Sequence, residues 1–252
     1  MKNIFEILEI DEKVKYVGQK IPKKMFYQQG NLSRDDEKIF VDFIDKIEMS
    51  YVLDSSNINI DAFINDEYNY TAIGYMKISL KKDDKVDKIS NIIQSNIPNP
   101  LVIVFEYDDK VCISTSLKRV NKSDSSKVVV GDINITPWID LDSIDENSDR
   151  FISSIKLSSL DYSNFYNFYK MIDDKIYTFK NLEVVGEYKE DDRQSIENTK
   201  EIIEKINSYN EELKKIANKI KKESQFNKKM KLNIDATKIK EEIHRLQDIL
   251  SK

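Results

Sequence analysis

The chain has 252 residues, of which 34% are charged and 40% hydrophobic, and its formal net charge is −5. One cysteine, Cys112, excludes an intrachain disulfide and a cysteine-built zinc site, and one histidine, His244, excludes histidine triads and multi-histidine metal sites within one chain. The five glycines are too scattered for a phosphate-binding loop, so Walker and dinucleotide fingerprints are absent and no cofactor is expected.

The distribution of apolar residues indicates a cytoplasmic protein. No apolar run is long enough to cross a bilayer, so no membrane association is expected. The N-terminal segment carries Glu6 and Glu9 where a signal peptide needs an apolar stretch.

Predicted helices and strands alternate along the first part of the chain. After a capping-box-like pair, Ser33 and Asp36, apolar residues recur at helical spacing and predict an amphipathic helix over residues 34–52. Residues 70–80 alternate like a strand, and residues 86–97 predict a helix that ends before a proline.

The longest unbroken apolar run, residues 101–105, predicts the buried central strand of a sheet because it is short and rich in β-branched and aromatic side chains. A polar turn follows, and residues 111–118 then alternate between apolar and polar side chains. Residues 127–135 predict one more strand. Residues 1–139 therefore predict an α+β domain with a mostly antiparallel sheet and helices on one face.

Two further segments complete the predicted organisation. Residues 140–190 predict an acidic linker and an aromatic-rich helical segment, with a short strand over residues 182–188. Residues 191–252 predict a coiled-coil helical hairpin, because apolar residues alternate at spacings of four and three. The first stripe is Ile202, Ile206, Tyr209, Leu213, Ile216 and Ile220, and the second is Ile239, Ile243, Leu246 and Leu250.

The unequal length of the two stripes predicts assembly. The second stripe is roughly half as long as the first, so an intrachain hairpin covers only part of the first. The uncovered part must meet the N-terminal domain, another copy of the chain or a partner protein, since such a stripe does not stay in water. We expect a homodimer through these helices, with a heterologous partner as the alternative.

Several stretches, taken in order, resemble a bacterial family classed as a domain of unknown function. They are Ile21-Pro22-Lys23-Lys24 with Phe26-Tyr27, the helix that contains Phe40 and Ile44, Ile97-Pro98 before residues 101–107, Leu117-Lys118-Arg119-Val120-Asn121, residues 136–138 and residues 225–233. Members of this family are often encoded beside restriction-type helicases and DNA methyltransferases. The resemblance implies a role in a restriction or defence module, with a helicase or a methyltransferase as the partner.

The turn of the predicted hairpin is strongly basic. Eight lysines and one acid, Glu223, lie between positions 214 and 231, so the local net charge is 8 − 1 = +7. Lysines grip phosphates without reading sequence, and an aromatic ring can stack on a base. The candidate nucleic-acid-binding residues are Lys221, Lys222, Phe226, Lys228 and Lys229. Alternatively, the lysines keep a coiled-coil arm soluble and the phenylalanine packs under the turn.

A second basic candidate, Lys118 with Arg119, follows the central hairpin. Charges that leave a sheet edge can meet a nucleic acid, and they also protect the edge from aggregation.

A third candidate has the form of a metal-dependent nuclease. Glu187 and Lys189 make an acid-x-lysine motif, and Asp174 lies upstream. Nucleases of this kind place two carboxylates and a lysine around a divalent ion that activates water. A chance match is the competing explanation, because the motif is common in a chain rich in lysine and glutamate.

The apolar stripes and the lack of a phosphate loop or a catalytic set favour a non-catalytic accessory or scaffold subunit, whose partner performs the chemistry. That it belongs to a bacterial DNA-processing complex is what the family resemblance implies. The alternatives are a metal-dependent nuclease and a standalone nucleic-acid binder that uses the basic turn.

Overall fold

The computed structural model describes residues 3–11, 13–29, 32–124, 127–188 and 193–250. Its internal contacts divide the chain into two compact units, Met1–Lys180 and Asn181–Lys252, here called the sheet unit and the helical unit. The division falls inside the segment that the sequence assigns to a linker and an aromatic helix.

The sheet unit contains helices and short strands in mixed order. Its helices are α1 (Ile4–Ile7), α2 (Lys23–Gln29), α3 (Arg34–Phe43), α4 (Val86–Asn96), α5 (Glu146–Ser154) and α6 (Phe165–Lys180), and a 3-10 turn spans Leu157–Ser159. Its strands are β1 (Gln19–Lys20), β2 (Ile44–Asp54), β3 (Phe63–Ile64), β4 (Asn69–Tyr70), β5 (Ala72–Leu80), β6 (Leu101–Tyr107), β7 (Lys110–Thr115), β8 (Lys118–Val120), β9 (Val128–Val130), β10 (Asn134–Ile135) and β11 (Ile139–Asp140).

The main sheet has the strand order β1-β2-β5-β6-β7-β10, and β11 also pairs with β7. Neighbouring strands run antiparallel except β5 and β6, which are parallel because α4 carries the chain across between them. β6 lies between β5 and β7, which confirms the predicted central strand. The α+β class with a mostly antiparallel sheet is also confirmed.

Both faces of the sheet are buried. In β6, Leu101, Ile103 and Phe105 belong to the core cluster that joins α2, α3 and α4 to one face. Val102 and Val104, which alternate with them, are equally buried on the other face. A strand that is apolar on both faces needs a layer on each side, so helices on one face alone could not cover it.

Hydrogen bonds from β7 identify the second layer. The hydroxyls of Ser114 and of Ser90 in α4 bond to each other at 2.6 Å. The hydroxyl of the next residue, Thr115, donates instead to Asp173 of α6 at 2.7 Å. Since successive strand residues point to opposite faces, α6 covers the face opposite α4.

The predicted helix over residues 34–52 is wrong in its second half, where the chain forms β2. β-bulges interrupt the pairing of β2 with β5 between Ile44 and Lys46 and between Met49 and Tyr51. Each bulge adds one residue, so buried side chains fall three apart rather than two and imitate a helical period. Pairing with β1 on one side and β5 on the other then decides the conformation.

The acidic segment after residue 139 is structured locally. Asp140 accepts hydrogen bonds from the backbone N–H groups of Asp142 and Ser143, which forms a turn. Asp145 caps α5 by accepting from the N–H groups of Asn147 and Ser148. These acids stabilise the chain's own backbone.

The helical unit contains α7 (Leu182–Val185), α8 (Arg193–Lys222) and α9 (Phe226–Leu250). Three residues separate α8 from α9, and the two helices pack against each other, so they form an antiparallel hairpin. α7 packs against both, which corrects the strand predicted over residues 182–188. Across the described ranges, no helix has the length and apolarity that crossing a membrane requires.

Candidate nucleic-acid interface

The two apolar stripes of the hairpin are matched in length. α9 begins at Phe226, earlier than the sequence predicts, and its stripe includes two residues that the sequence interpretation missed, Leu232 and Ala236. The α9 stripe of Leu232, Ala236, Ile239, Ile243, Leu246 and Leu250 has the four-three spacing of the α8 stripe. None of the members of either stripe is exposed. The residues predicted for assembly are therefore used within the chain, and the homodimer stays a prediction.

Burial is strongest at a few positions of the seam. Ile206 and Ile216 are buried in α8, and Leu246 and Leu250 are buried in α9. Packing of these side chains fixes the hairpin and places its turn, residues 223–225, at one end.

The hairpin tip, defined here as residues 214–231, displays its positive charge. All eight of its lysines are exposed. Within the part of the chain that the structure describes, only Lys214 pairs with an acid, Glu211, at 2.7 Å. The single acid of the tip, Glu223, accepts a hydrogen bond from the backbone N–H of Gln225 and so supports the turn. The net charge of +7 is thus presented to solvent.

A groove of about 460 Å³ lies between α8 and α9 beside the turn. It is lined by Lys219, Lys222, Glu223, Lys228, Lys231 and Leu232. The aliphatic stems of lysines cover apolar surface while their ammonium groups stay in water. Four lysines, one glutamate and a leucine therefore give the groove both a positive excess and apolar surface, which suits a ligand with phosphates and apolar parts.

A row of exposed apolar side chains begins at the turn. Phe226 is 75% exposed, Met230 is 52% exposed and Ile234 is 48% exposed. Their spacing of four places them along one side of α9. Phe226 is the first residue of the helix, so its ring stands at the turn among the lysines. This exposure corrects the alternative in which the ring packs under the turn.

Lys118 does not belong to a surface patch, contrary to the prediction. It is 2% exposed, and its ammonium donates to the carbonyls of Ile97 at 2.6 Å and Asn99 at 2.8 Å. Burial lowers the pKa of Lys118 to about 7. The lysine therefore ties the loop after α4 to β8 inside the sheet unit.

Arg119, next in sequence, remains on the surface. Its guanidinium pairs with the carboxylate of Glu67 at 3.3 Å, and both side chains are about half exposed. The pair brings equal and opposite charges together, so this position offers no basic surface comparable to the hairpin tip.

Asp174 and Glu187, the two carboxylates of the nuclease hypothesis, belong to different units. Asp174 is buried in the sheet unit, where it accepts a hydrogen bond from Lys170 at 2.7 Å. Glu187 belongs to the helical unit and follows a helix rather than a strand, and Lys189 lies outside the described residues. No group of three potential metal ligands of the histidine, cysteine or carboxylate type occurs in the described part of the chain.

Comparison with known protein families gives a match over most of the chain. A family model described as "Domain of unknown function (DUF4391)" matches residues 14–243. All of the stretches that carry the resemblance lie inside this range, which includes the hairpin tip. No curated protein and no solved structure matches the chain.

Proposed function

This chain belongs to the DUF4391 family, and on that premise we propose that it is a non-catalytic accessory subunit of a bacterial DNA-processing complex of the restriction or defence type, which contacts nucleic acid through its hairpin tip. The observation that carries the proposal is the exposed +7 charge of the tip, at the end of the two-helix hairpin. The single acid of the tip, Glu223, supports the turn. The chemistry belongs to a partner, and the context that the resemblance implies makes that partner a helicase or a methyltransferase.

The chemistry of the tip suits a phosphate backbone. Its cations are all lysines, which act as point charges toward phosphate, and the tip contains no arginine for bidentate base recognition. Contacts of this kind release counterions and bind every sequence alike. The proposed role is therefore to hold the complex on nucleic acid, with sequence recognition left to the partner.

The nuclease alternative draws no support from the position of its residues. Asp174 accepts a hydrogen bond from Lys170 within the sheet unit, and the described residues include no group of three histidine, cysteine or carboxylate ligands. A standalone binder differs from an accessory subunit only in lacking a partner, and affinity purification from the native host separates the two.

Two charge-reversal variants on the same helix test the proposal. Lys228→Glu with Lys229→Glu changes the tip, whereas Lys238→Glu with Lys240→Glu makes the same charge change about 15–17 Å further along α9 at 1.5 Å per residue. All four lysines are exposed, so both variants are expected to fold. Binding of labelled DNA of several sequences is measured by fluorescence anisotropy over a salt series.

We expect the affinity of the wild type to fall steeply with salt. The tip variant should lose affinity for all sequences, and the slope of its log affinity against log salt concentration should be smaller by about two. The control variant retains most of the affinity. Equal losses in the two variants would show general attraction to a basic helix, and full binding by the tip variant would remove the tip as the site.

A further inference from the structure

We propose that the hairpin tip prefers single-stranded to double-stranded nucleic acid, and that the ring of Phe226 stacks on an unpaired base. This inference rests on the proposed function, because it names the class of nucleic acid that the same tip binds. Three features of the described structure carry it: an exposed ring at the turn, a groove with both apolar and cationic lining, and the excess of lysine over acid.

The position of Phe226 is the first feature. Its side chain is 75% exposed, and it makes no ring contact with another aromatic residue in the described part of the chain. A phenylalanine ring packed between the two helices would be removed from water. The ring of Phe226 lies beside the turn instead, so its apolar face is left in solvent. In a duplex the faces of the bases are stacked on each other, and such a ring finds no partner there. An unpaired base offers its face, and each stack of this kind is a substantial gain in affinity.

The groove supplies the second feature. Lys219 and Lys222 line it from α8, and Lys228, Lys231 and Leu232 line it from α9. Glu223 is the one acid in the lining, so lysines are in excess by three. A single strand presents phosphates and the apolar parts of its sugars and bases along one flexible chain. It can therefore use the ammonium groups and the leucine together, whereas a duplex offers this surface its phosphates alone.

Charge decides between a nucleic acid and a protein as the ligand of the exposed apolar row. Met230 and Ile234 continue the row from Phe226, and by themselves they would suit a protein partner equally well. Phe226 and Met230 lie within the tip, which has eight lysines against one acid, so we infer a ligand with a high density of negative charge. A polynucleotide has one phosphate per base, which supplies the charge and the stacking face together.

The experiment compares two probes on the full chain at equal salt. One is a labelled oligothymidylate of about 20 nucleotides, and the other is a duplex of the same length and mixed sequence. The variants are Phe226→Ala, Phe226→Trp and, as the matched loss of an exposed apolar side chain on the same helix, Ile234→Ala. Far-UV circular dichroism confirms that the helices of each variant are intact.

We expect the wild type to bind the single strand at least about tenfold more tightly than the duplex, and Phe226→Ala to lose about tenfold or more for the single strand alone. Phe226→Trp retains the affinity, and its fluorescence is quenched by the oligothymidylate, whereas the wild type shows no such quenching from its one tryptophan, Trp138.

Three results would overturn the inference. Equal affinity for both probes would remove the preference for a single strand. An unchanged Phe226→Ala variant would remove the stack, and an equal loss in Ile234→Ala would show a general apolar contact. Absence of binding to either probe by the wild type would overturn the proposed function itself.

Discussion

At the scale of single residues, Lys118 shows that tertiary contacts can bury a charged side chain that the sequence predicts to be exposed. Its sequence neighbours include Arg119 and predict an exposed basic pair, yet its ammonium is buried against two backbone carbonyls. No acid lies within ion-pair distance of it in the described part of the chain. Its partners, Ile97 and Asn99, are about twenty residues away in sequence, so no local pattern could reveal them.

The buried ammonium predicts a pH-dependent stability. The folded pKa is about 7 and the ordinary value is 10.5, so between these values the folded state binds fewer protons than the unfolded state. The unfolding free energy of the wild type therefore rises with pH in this window. In Lys118→Met that contribution is absent, and the stability advantage of the wild type over the variant should grow by about 2 kcal/mol from pH 7 to near pH 9.

Urea unfolding at the two pH values measures this advantage. Lys122→Met serves as the control because it makes the same substitution at an exposed lysine. A difference between the wild type and Lys118→Met that stays constant across the window would show that Lys118 titrates normally.

At the scale of elements, the matched apolar stripes of α8 and α9 make the hairpin a packed structure. Ile206 in α8 is 1% exposed, whereas Ile249 in α9 is 45% exposed. Ile206→Ala should destabilise the hairpin by about 2–4 kcal/mol, because it removes buried methyl groups and leaves a cavity. Ile249→Ala makes the same chemical change on the surface and should cost less than about 0.5 kcal/mol.

Denaturant unfolding followed by far-UV circular dichroism compares the two variants, since the helical unit supplies much of the helical signal. If Ile206→Ala lowered the free energy of unfolding as little as Ile249→Ala does, the result would contradict the packing of the hairpin. A large loss for both would show that the exposed side of α9 is covered by another part of the chain.

Sequence reasoning succeeds for elements whose signal is local. The apolar run over residues 101–105 predicts β6 because no competing pattern overlaps it, and helical spacing from Phe165 predicts α6. It fails for β2, where two bulges imitate a helical period. Sequence reasoning also predicts too late a start for α9, because Leu232 and Ala236 are separated by mostly polar residues and their apolar spacing is hard to recognise.

The candidate site can be predicted from the sequence only where its signal is local. The lysine excess of the tip is a property of the sequence alone, so its charge needs no structure. The exposure of Phe226 is not, because an apolar ring beside a turn is equally compatible with packing beneath it. Only the paired helices show that the seam is already filled and that the ring stands outside it.

At the scale of the whole molecule, charge is divided unequally along the chain. The whole chain carries −5 and the tip carries +7, so the remaining residues carry −5 − 7 = −12. A polyanion is repelled by most of the chain and attracted to one segment of it. Binding should therefore be confined to the tip rather than spread over the surface.

Photo-crosslinking tests this claim most directly. The full chain is irradiated with an oligothymidylate that carries a photoreactive thymidine analogue, and the attached peptides are identified by mass spectrometry. We expect the crosslinked peptides to come from the hairpin tip and to include Phe226. Crosslinks that lie in the sheet unit and avoid residues 214–231 would contradict it.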